Sequence, residues 1–510
     1  MSDTENEKKL TSVEVSSADK DIEAVNSGTK SSDMDAGAKY LLDHPQHADY
    51  TEEEAKKVLR KIDWMLMPIM TIIITLAAAD KILISNAAAY GMTAALKLHG
   101  SQYSWLGSIF YFGYLVAETP ANFLLQKLPV AKVLIAASTL WNIVLMCMGA
   151  ANTFPQMAAL RFLLGIFETP LFPFCSIITA MFYKKSTEIG IRTSIWFSGF
   201  SSVITGTLSY AIGHADVKIE NWRLLFIVFA SITLFFTAIA FFILPDSPMT
   251  CWWLNEREKY IAIHRTIENR TGIKNTSFKK NQALEAVTDL RTWIMCVGVF
   301  CANISNGALV TFAAQIVSGL GFAPIITTAL GIPTGLMMTL SSWIIAFSQF
   351  FFPGKYRTYF AVVVSLVPII CCSLMLTLEG RWSLYVAYLF FYFYWGVYTS
   401  FTSLSIANTA GSTKKTTVNA INFTSYCVAN IVAPQLFLTK EAPTYLTGYH
   451  SILGFSSAAT VCLALYGGLA VYTNKKRDNE FGPADENIDD ELDKLDLTDG
   501  EKKKWFRYVW

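Results

Sequence analysis

Apolar stretches of about 20 residues, each long enough to cross a hydrocarbon layer of roughly 30 Å as a helix, alternate along this chain with short polar connections. Twelve such spans fall at 64–91, 104–125, 131–150, 156–182, 191–213, 222–244, 291–317, 325–351, 357–377, 383–410, 416–438 and 448–472. Alternation of period two is missing, and the runs are too long for barrel strands. Backbone groups in hydrocarbon must satisfy one another, so the pattern predicts an all-α integral membrane protein of twelve transmembrane helices. A polar, basic stretch divides them six and six. The resulting segments are a tail at 1–62, a six-helix bundle at 63–244, a central loop at 245–290, a second six-helix bundle at 291–473 and a tail at 474–510.

The first 62 residues are rich in Ser, Asp, Glu and Lys and read as a disordered tail without a cleavable signal peptide. Its last part, Tyr50 to Lys61, predicts a short amphipathic helix at the membrane surface, with Thr51 as N-cap and Glu52 to Glu54 in the first turn. Lys and Arg set the orientation. Lys56, Lys57, Arg60, Lys61, Lys127, Lys132, Lys184, Lys185, Arg192, the basic residues of 255–291, Lys355, Arg357, Lys414, Lys415, Lys475, Lys476 and Arg477 fall on one side. The alternate connections carry only Lys97, Lys218, Arg223, Arg381 and Lys440. This asymmetry needs an even span count and both termini in the cytosol. Pro170 and Pro173 interrupt span four, Pro333 and Gly335 span eight, and Pro434 span eleven. These are sites of local kinking, or hinges for alternating access.

Composition fits a membrane protein. The chain is 53% hydrophobic and 16% charged, where a soluble protein carries roughly 25% charged residues. A net charge of +1 does not indicate nucleic acid. The nine cysteines lack metal-ligand spacing and read as small packing residues. His44, His47, His99, His214, His264 and His450 lie in tails, connections or span ends. That argues against a membrane acyltransferase or a metal enzyme. No Walker loop is present, which argues against ATP-driven transport by this chain alone. The expectation is a non-enzyme without cofactor or metal, acting as a monomer in a lipid bilayer.

Ionisable side chains inside apolar spans are costly and mark function by default. Asp80 and Lys81 sit in span one, Arg161 and Glu168 in span four. Arg161 and Glu168, seven residues apart, share nearly one helical face about 10 Å apart. That is too far for a direct pair, so Asp80 and Lys81 are the obvious partners. The four charges sum to zero, as a shared buried network requires; an inert stabilising network is the alternative. A carboxylate shielded from water holds a proton more readily than one in water. If Glu168 or Asp80 is protonated, Lys81 or Arg161 loses its partner, and an anionic substrate can replace it. Arg suits carboxylate, sulfonate or phosphate because its fork binds two oxygens.

Polar stripes mark the second half. Span eleven carries Asn419, Asn422, Tyr426 and Asn430; span ten carries Tyr398, Thr402, Ser405 and Asn408; span seven carries Asn303, Asn306, Thr311 and Gln315. Such stripes line a cavity or bind helices together. Asn422 and Asn430 fit either role, and the others lean toward binding helices, though Asn408 is kept as a substrate-site candidate.

Several strings resemble the major facilitator superfamily and its anion:cation symporter branch. They are Asp80-Lys81, HGSQYSWLGSIFYFGYL from His99 to Leu115, RFLLGIFE from Arg161 to Glu168, Trp222-Arg223 and Pro245-Asp246-Ser247-Pro248. Asn408 to Lys415, Asp496-Leu497-Thr498-Asp499 and Phe506-Arg507-Tyr508 are similar to the fungal allantoate permease family. The resemblance runs from about residue 50 to the end. It implies proton coupling by Asp80, Lys81 and Glu168, and carboxylate binding by Arg161 with Lys81 and a substrate-contacting Tyr114. Two departures stand out: Lys81 occupies a position where many relatives have Arg, and the loop from Gln126 to Lys132 lacks the usual Asp-Arg pattern.

The expected function is proton-coupled import of a small organic anion by alternating access across a fungal plasma membrane. An allantoate-like ureido acid, a vitamin carboxylate or another carboxylate is the expected cargo. A non-transporting nutrient sensor of the same fold and a proton-independent facilitator are the alternatives.

Overall fold

The computed structural model describes residues 36–184, 188–196, 200–266, 279–351, 356–483 and 497–510. Residues 1–35 of the N-terminal tail, Lys185, Lys355, part of the basic central loop and Asp496 lie outside the described residues. Spans one to three are the helices Glu52–Ala89, Gln102–Lys127 and Val130–Met148. Span four comprises Phe154–Glu168 and Leu171–Phe182, span five Ile189–Trp196 and Ser201–Gly213, and span six Asn221–Ile243. Spans seven to nine are Leu290–Gly319, then Pro324–Leu330 with Ile332–Phe351, then Arg357–Thr377. Span ten comprises Arg381–Phe391 and Tyr394–Asn408, and spans eleven and twelve are Ser412–Val432 and Leu446–Phe481. The twelve spans form two six-helix halves, with no strand among the described residues.

Eight of the spans are long and apolar enough to cross a membrane on composition alone. Among the described residues spans two, five, ten and eleven do not meet that measure, five and ten each being made of two shorter helices, and all four give side chains to a central cavity.

Helix ends follow local chemistry. Thr51 and Glu54 form a reciprocal cap: the Thr51 amide donates to Glu54 Oε2 (3.0 Å) and the Glu54 amide to Thr51 Oγ1 (3.3 Å). The segment after it is not a separate surface helix. It runs on into span one as a single 38-residue helix, since no Gly or Pro stands between Glu52 and Met67. Span four breaks between Glu168 and Leu171, at Pro170, which lacks an amide hydrogen. Span eight breaks at Gly331, before Pro333, and span eleven ends at Val432, before Pro434. Span ten breaks at Tyr392–Phe393 without a Gly or Pro to announce it.

By contact the chain divides into two compact units. The described residues of the smaller are 36–62, 178–184, 188–189 and 247–266. Leu41, Tyr260 and Ile263 form its buried cluster, and Lys61–Glu258 (2.7 Å), Arg257–Glu54 (2.9 Å) and Arg265–Glu188 (2.5 Å) are among its ion pairs. The described residues of the larger are 63–177, 190–196, 200–246, 279–351, 356–483 and 497–510, and it contains the central cavity.

Within the larger unit the described part of the C-terminal tail is packed, not solvated. Asp499, 1% exposed, pairs with Lys414 (2.8 Å) and Arg291 (3.2 Å) and accepts a hydrogen bond from the Tyr508 hydroxyl (2.7 Å). Arg477 donates to the Tyr508 hydroxyl and to the Asp499 carbonyl. Lys414 also reaches Glu285 and Asp289. Burial alone would raise the Asp289 carboxyl, but the hydrogen bond and charge of Arg291, with Lys414, hold it below the usual carboxylate range. The tail thus straps spans seven, eleven and twelve together at one end of the second half. Replacing one member strands buried cations. Asp499→Asn is expected to destabilise the protein by about 3–5 kcal/mol, read as a lower melting temperature of the purified transporter; an unchanged melting curve would show that the strap carries no stability.

Candidate functional site

Spans two and four cross backbone on backbone. A Cβ at Gly165 would collide with the Phe110 carbonyl oxygen, and one at Gly113 with that of Phe162. Gly is the residue that permits this approach. The crossing places Arg161 Nε against the Leu106 carbonyl (3.1 Å) and its guanidinium carbon 5.1 Å from the Phe110 ring centroid. One turn past the crossing, Glu168 ends its helix, and Thr169 turns its hydroxyl back onto the Gly165 carbonyl (2.7 Å).

Lys81 Nζ and Glu168 Oε1 form an ion pair at 2.8 Å. Glu168 and Asp80 are wholly buried, Arg161 is 1% exposed and Lys81 8%. Three rings surround the ammonium: Tyr114 at 5.3 Å, Phe110 at 5.6 Å and Phe172 at 5.6 Å. Asp80 accepts a hydrogen bond from the indole of the buried Trp141 on span three, and its carboxyl also lies beside that of Glu168. Its second oxygen, Arg161 Nη1 and Glu168 Oε2 are buried without a hydrogen-bond partner. Among the described residues no carboxylate reaches Arg161 within ion-pair distance. The span-one pair and the span-four pair are therefore neighbours, and the ion pair formed is Lys81 with Glu168.

Lys81 and Tyr114 line a cavity of about 300 Å³, whereas Asp80, Arg161 and Glu168 stand behind its wall. Asn430 lies one layer out: it accepts from Asn306 Nδ2 (2.8 Å), which does line the cavity, and donates to the Tyr426 carbonyl. Asn422 donates to Ser405 (3.2 Å) outside the lining. Asn408 lies elsewhere, bonded to the Tyr466 hydroxyl and the Val509 backbone in the C-terminal strap.

One end of the cavity is closed by bonds between the halves. Tyr103 donates to the Thr311 carbonyl (2.5 Å), Ser108 to the Ile431 carbonyl (2.6 Å), Gln435 to Ser108 (3.0 Å) and the Ala314 amide to Ser85 (2.9 Å). Tyr90 meets Thr328 at 3.3 Å.

The profile of the Major Facilitator Superfamily matches residues 70–434. The chain belongs to the Major Facilitator Superfamily. Allantoate permease of Saccharomyces cerevisiae is 32% identical over 492 residues, 92% of this chain and 90% of that protein. An uncharacterized transporter of Schizosaccharomyces pombe is 34% identical over 471 residues, 91% of this chain and 87% of its own length. In fold this member of the superfamily is similar to the crystal structure of a bacterial homolog of the human lysosomal transporter Spinster, inward-facing and unoccupied. That likeness has a TM-score of 0.60 at 14% identity, over 82% of this chain and 97% of the other. This superfamily member is a multi-pass membrane protein, and its relatives are transporters.

Sequence reasoning missed Trp141 and, on span ten, the rings of Tyr388, Tyr392, Tyr394 and Trp395. Trp141 had one available signal: a buried indole N–H in an apolar span needs an acceptor. RFLLGIFE contains Gly165, whose need for a bare Cα appears only with the crossing. Gly165→Ala is expected to destabilise by about 1–3 kcal/mol, because the collision is with backbone that cannot rotate away. A thermal melt of the purified variant reads this, and a wild-type melt would contradict the tight crossing.

Proposed function

We propose that this protein is a proton-coupled importer of a small organic anion, working by alternating access. The observation that carries the reading is the 2.8 Å ion pair between Lys81, on the cavity wall, and Glu168, buried behind it. Breaking a buried pair without compensation costs about 3–5 kcal/mol. Compensation on both sides requires a proton on Glu168 and an anion on Lys81. Neither ligand binds well alone, so the two travel together and the loaded site keeps the charge of the empty one. Arg161 adds positive potential behind Lys81, and Asp80, held by Trp141, balances it. Tyr114 borders the ammonium where the anion would sit.

The arrangement of basic residues supports cytosolic termini, with the chain acting as a monomer. The closed end of the cavity then faces outside, and the bonds of Tyr103, Ser108 and Tyr90 must open before cargo enters from there. The likeness to allantoate permease supports an organic anion as cargo and a fungal plasma membrane as location.

Uptake into proteoliposomes, using a panel of radiolabelled carboxylates that includes allantoate, tests the reading. Wild-type protein is expected to accumulate at least one of them under an inward proton gradient. Glu168→Gln should lose that accumulation and retain exchange of labelled for unlabelled cargo. Gradient-driven uptake by Glu168→Gln would remove Glu168 from coupling. Accumulation indifferent to the gradient would make the protein a facilitator, and binding without uptake a sensor.

A further inference from the structure

We propose that the cavity selects a carboxylate carried on a flat, conjugated ring, that is, an aromatic monocarboxylate. This rests on the reading of Lys81 as the anion site and adds what lies beyond the carboxylate. From Lys81 a continuous file of rings leads along the cavity wall. The ammonium is 5.3 Å from the Tyr114 centroid, Tyr114 is 5.4 Å from Phe423, and Phe423 is 6.2 Å from Tyr426. Tyr426 is 5.9 Å from Tyr398, and Tyr398 is 5.2 Å from Trp395. All six side chains line the cavity. Centroid spacings of 4.5–7 Å are those at which aromatic rings attract one another, and a ligand ring entering the file gains the same stacked or edge contacts.

Several polar groups of the wall point to the same class by being occupied already, although the buried Tyr111 hydroxyl has no hydrogen-bond partner. Asn306 gives its amide to Asn430 and accepts from Tyr394, and Asn86 gives its amide to Ser209. Thr205, Thr328 and Thr334 donate to backbone carbonyls three or four residues back. A cargo rich in N–H and C=O groups, such as a ureido acid, would bury many of them against rings and committed donors, each at a cost. A cargo with one anionic group and a ring asks for one cation and a ring-lined slot. A cavity of about 300 Å³ suits a molecule of that size.

Isothermal titration calorimetry on the purified full chain tests this with a matched pair, 4-hydroxybenzoate and trans-4-hydroxycyclohexanecarboxylate. The two differ in the flatness and π-system of the ring while keeping the same polar groups. The aromatic acid is expected to bind about fivefold tighter or more. Tyr398→Leu and Trp395→Leu should each reduce that ratio below about twofold. Because the readout is a ratio within one sample, partial misfolding does not mimic it. Equal affinity for the pair, or a ratio untouched by both variants, overturns the proposal. If allantoate binds and is taken up with protons while neither ring acid binds, the proposal fails and the proton-coupled anion reading stands. If 4-hydroxybenzamide, which lacks the charge, binds as well as the acid, the anion site at Lys81 fails and the ring proposal falls with it.

Discussion

A lysine and a glutamate, both buried and 2.8 Å apart, tie span one to span four at the cavity wall. Each is tolerable because of the other. The pair exists because two glycines let spans two and four touch through their backbones, which seats Glu168 at the depth of Lys81. Asp80 and Arg161 flank the pair and bring the local sum of charge to zero. Any ligand that separates the pair must supply the charge it removes, and that requirement is the physical content of coupling.

The rest of the cavity answers a different need. Its wall on the second half carries a file of rings, and several of its hydrogen-bonding groups are satisfied within the protein. The first half therefore carries the charge, and the second supplies shape and surface. Hydrogen bonds between the halves close one end, using tyrosine and serine hydroxyls and backbone groups. Such bonds are individually modest, which suits contacts that form and break in each cycle. By contrast, the ion-pair strap around Asp499 lies within the second half and is suited to holding it as one body.

Much of this was readable before coordinates. Apolar run length marks spans because the bilayer sets it, and Pro170 marks the break in span four because proline lacks an amide hydrogen. The charges stood out because hydrocarbon penalises them. What stayed hidden is tertiary. Helical period puts Arg161 and Glu168 on one face, yet cannot tell that Lys81 fills the space beside Glu168 while Arg161 rests against the Leu106 carbonyl behind the wall. Asn408 belongs to a polar stripe, but its partners are Tyr466 and Val509, the latter a hundred residues away in the C-terminal tail. Asn306 looked like a residue that binds helices together, and it both does so and lines the cavity.

The central claim is that anion and proton replace one another's partners at a single ion pair. Proton movement on binding tests it most directly, measured by calorimetry of the best-accepted carboxylate in buffers of different ionisation enthalpy near neutral pH. The account predicts that the purified protein draws about one proton from solution for each anion bound, and that Glu168→Gln draws none. Anion binding to wild-type protein with no proton taken up would contradict it.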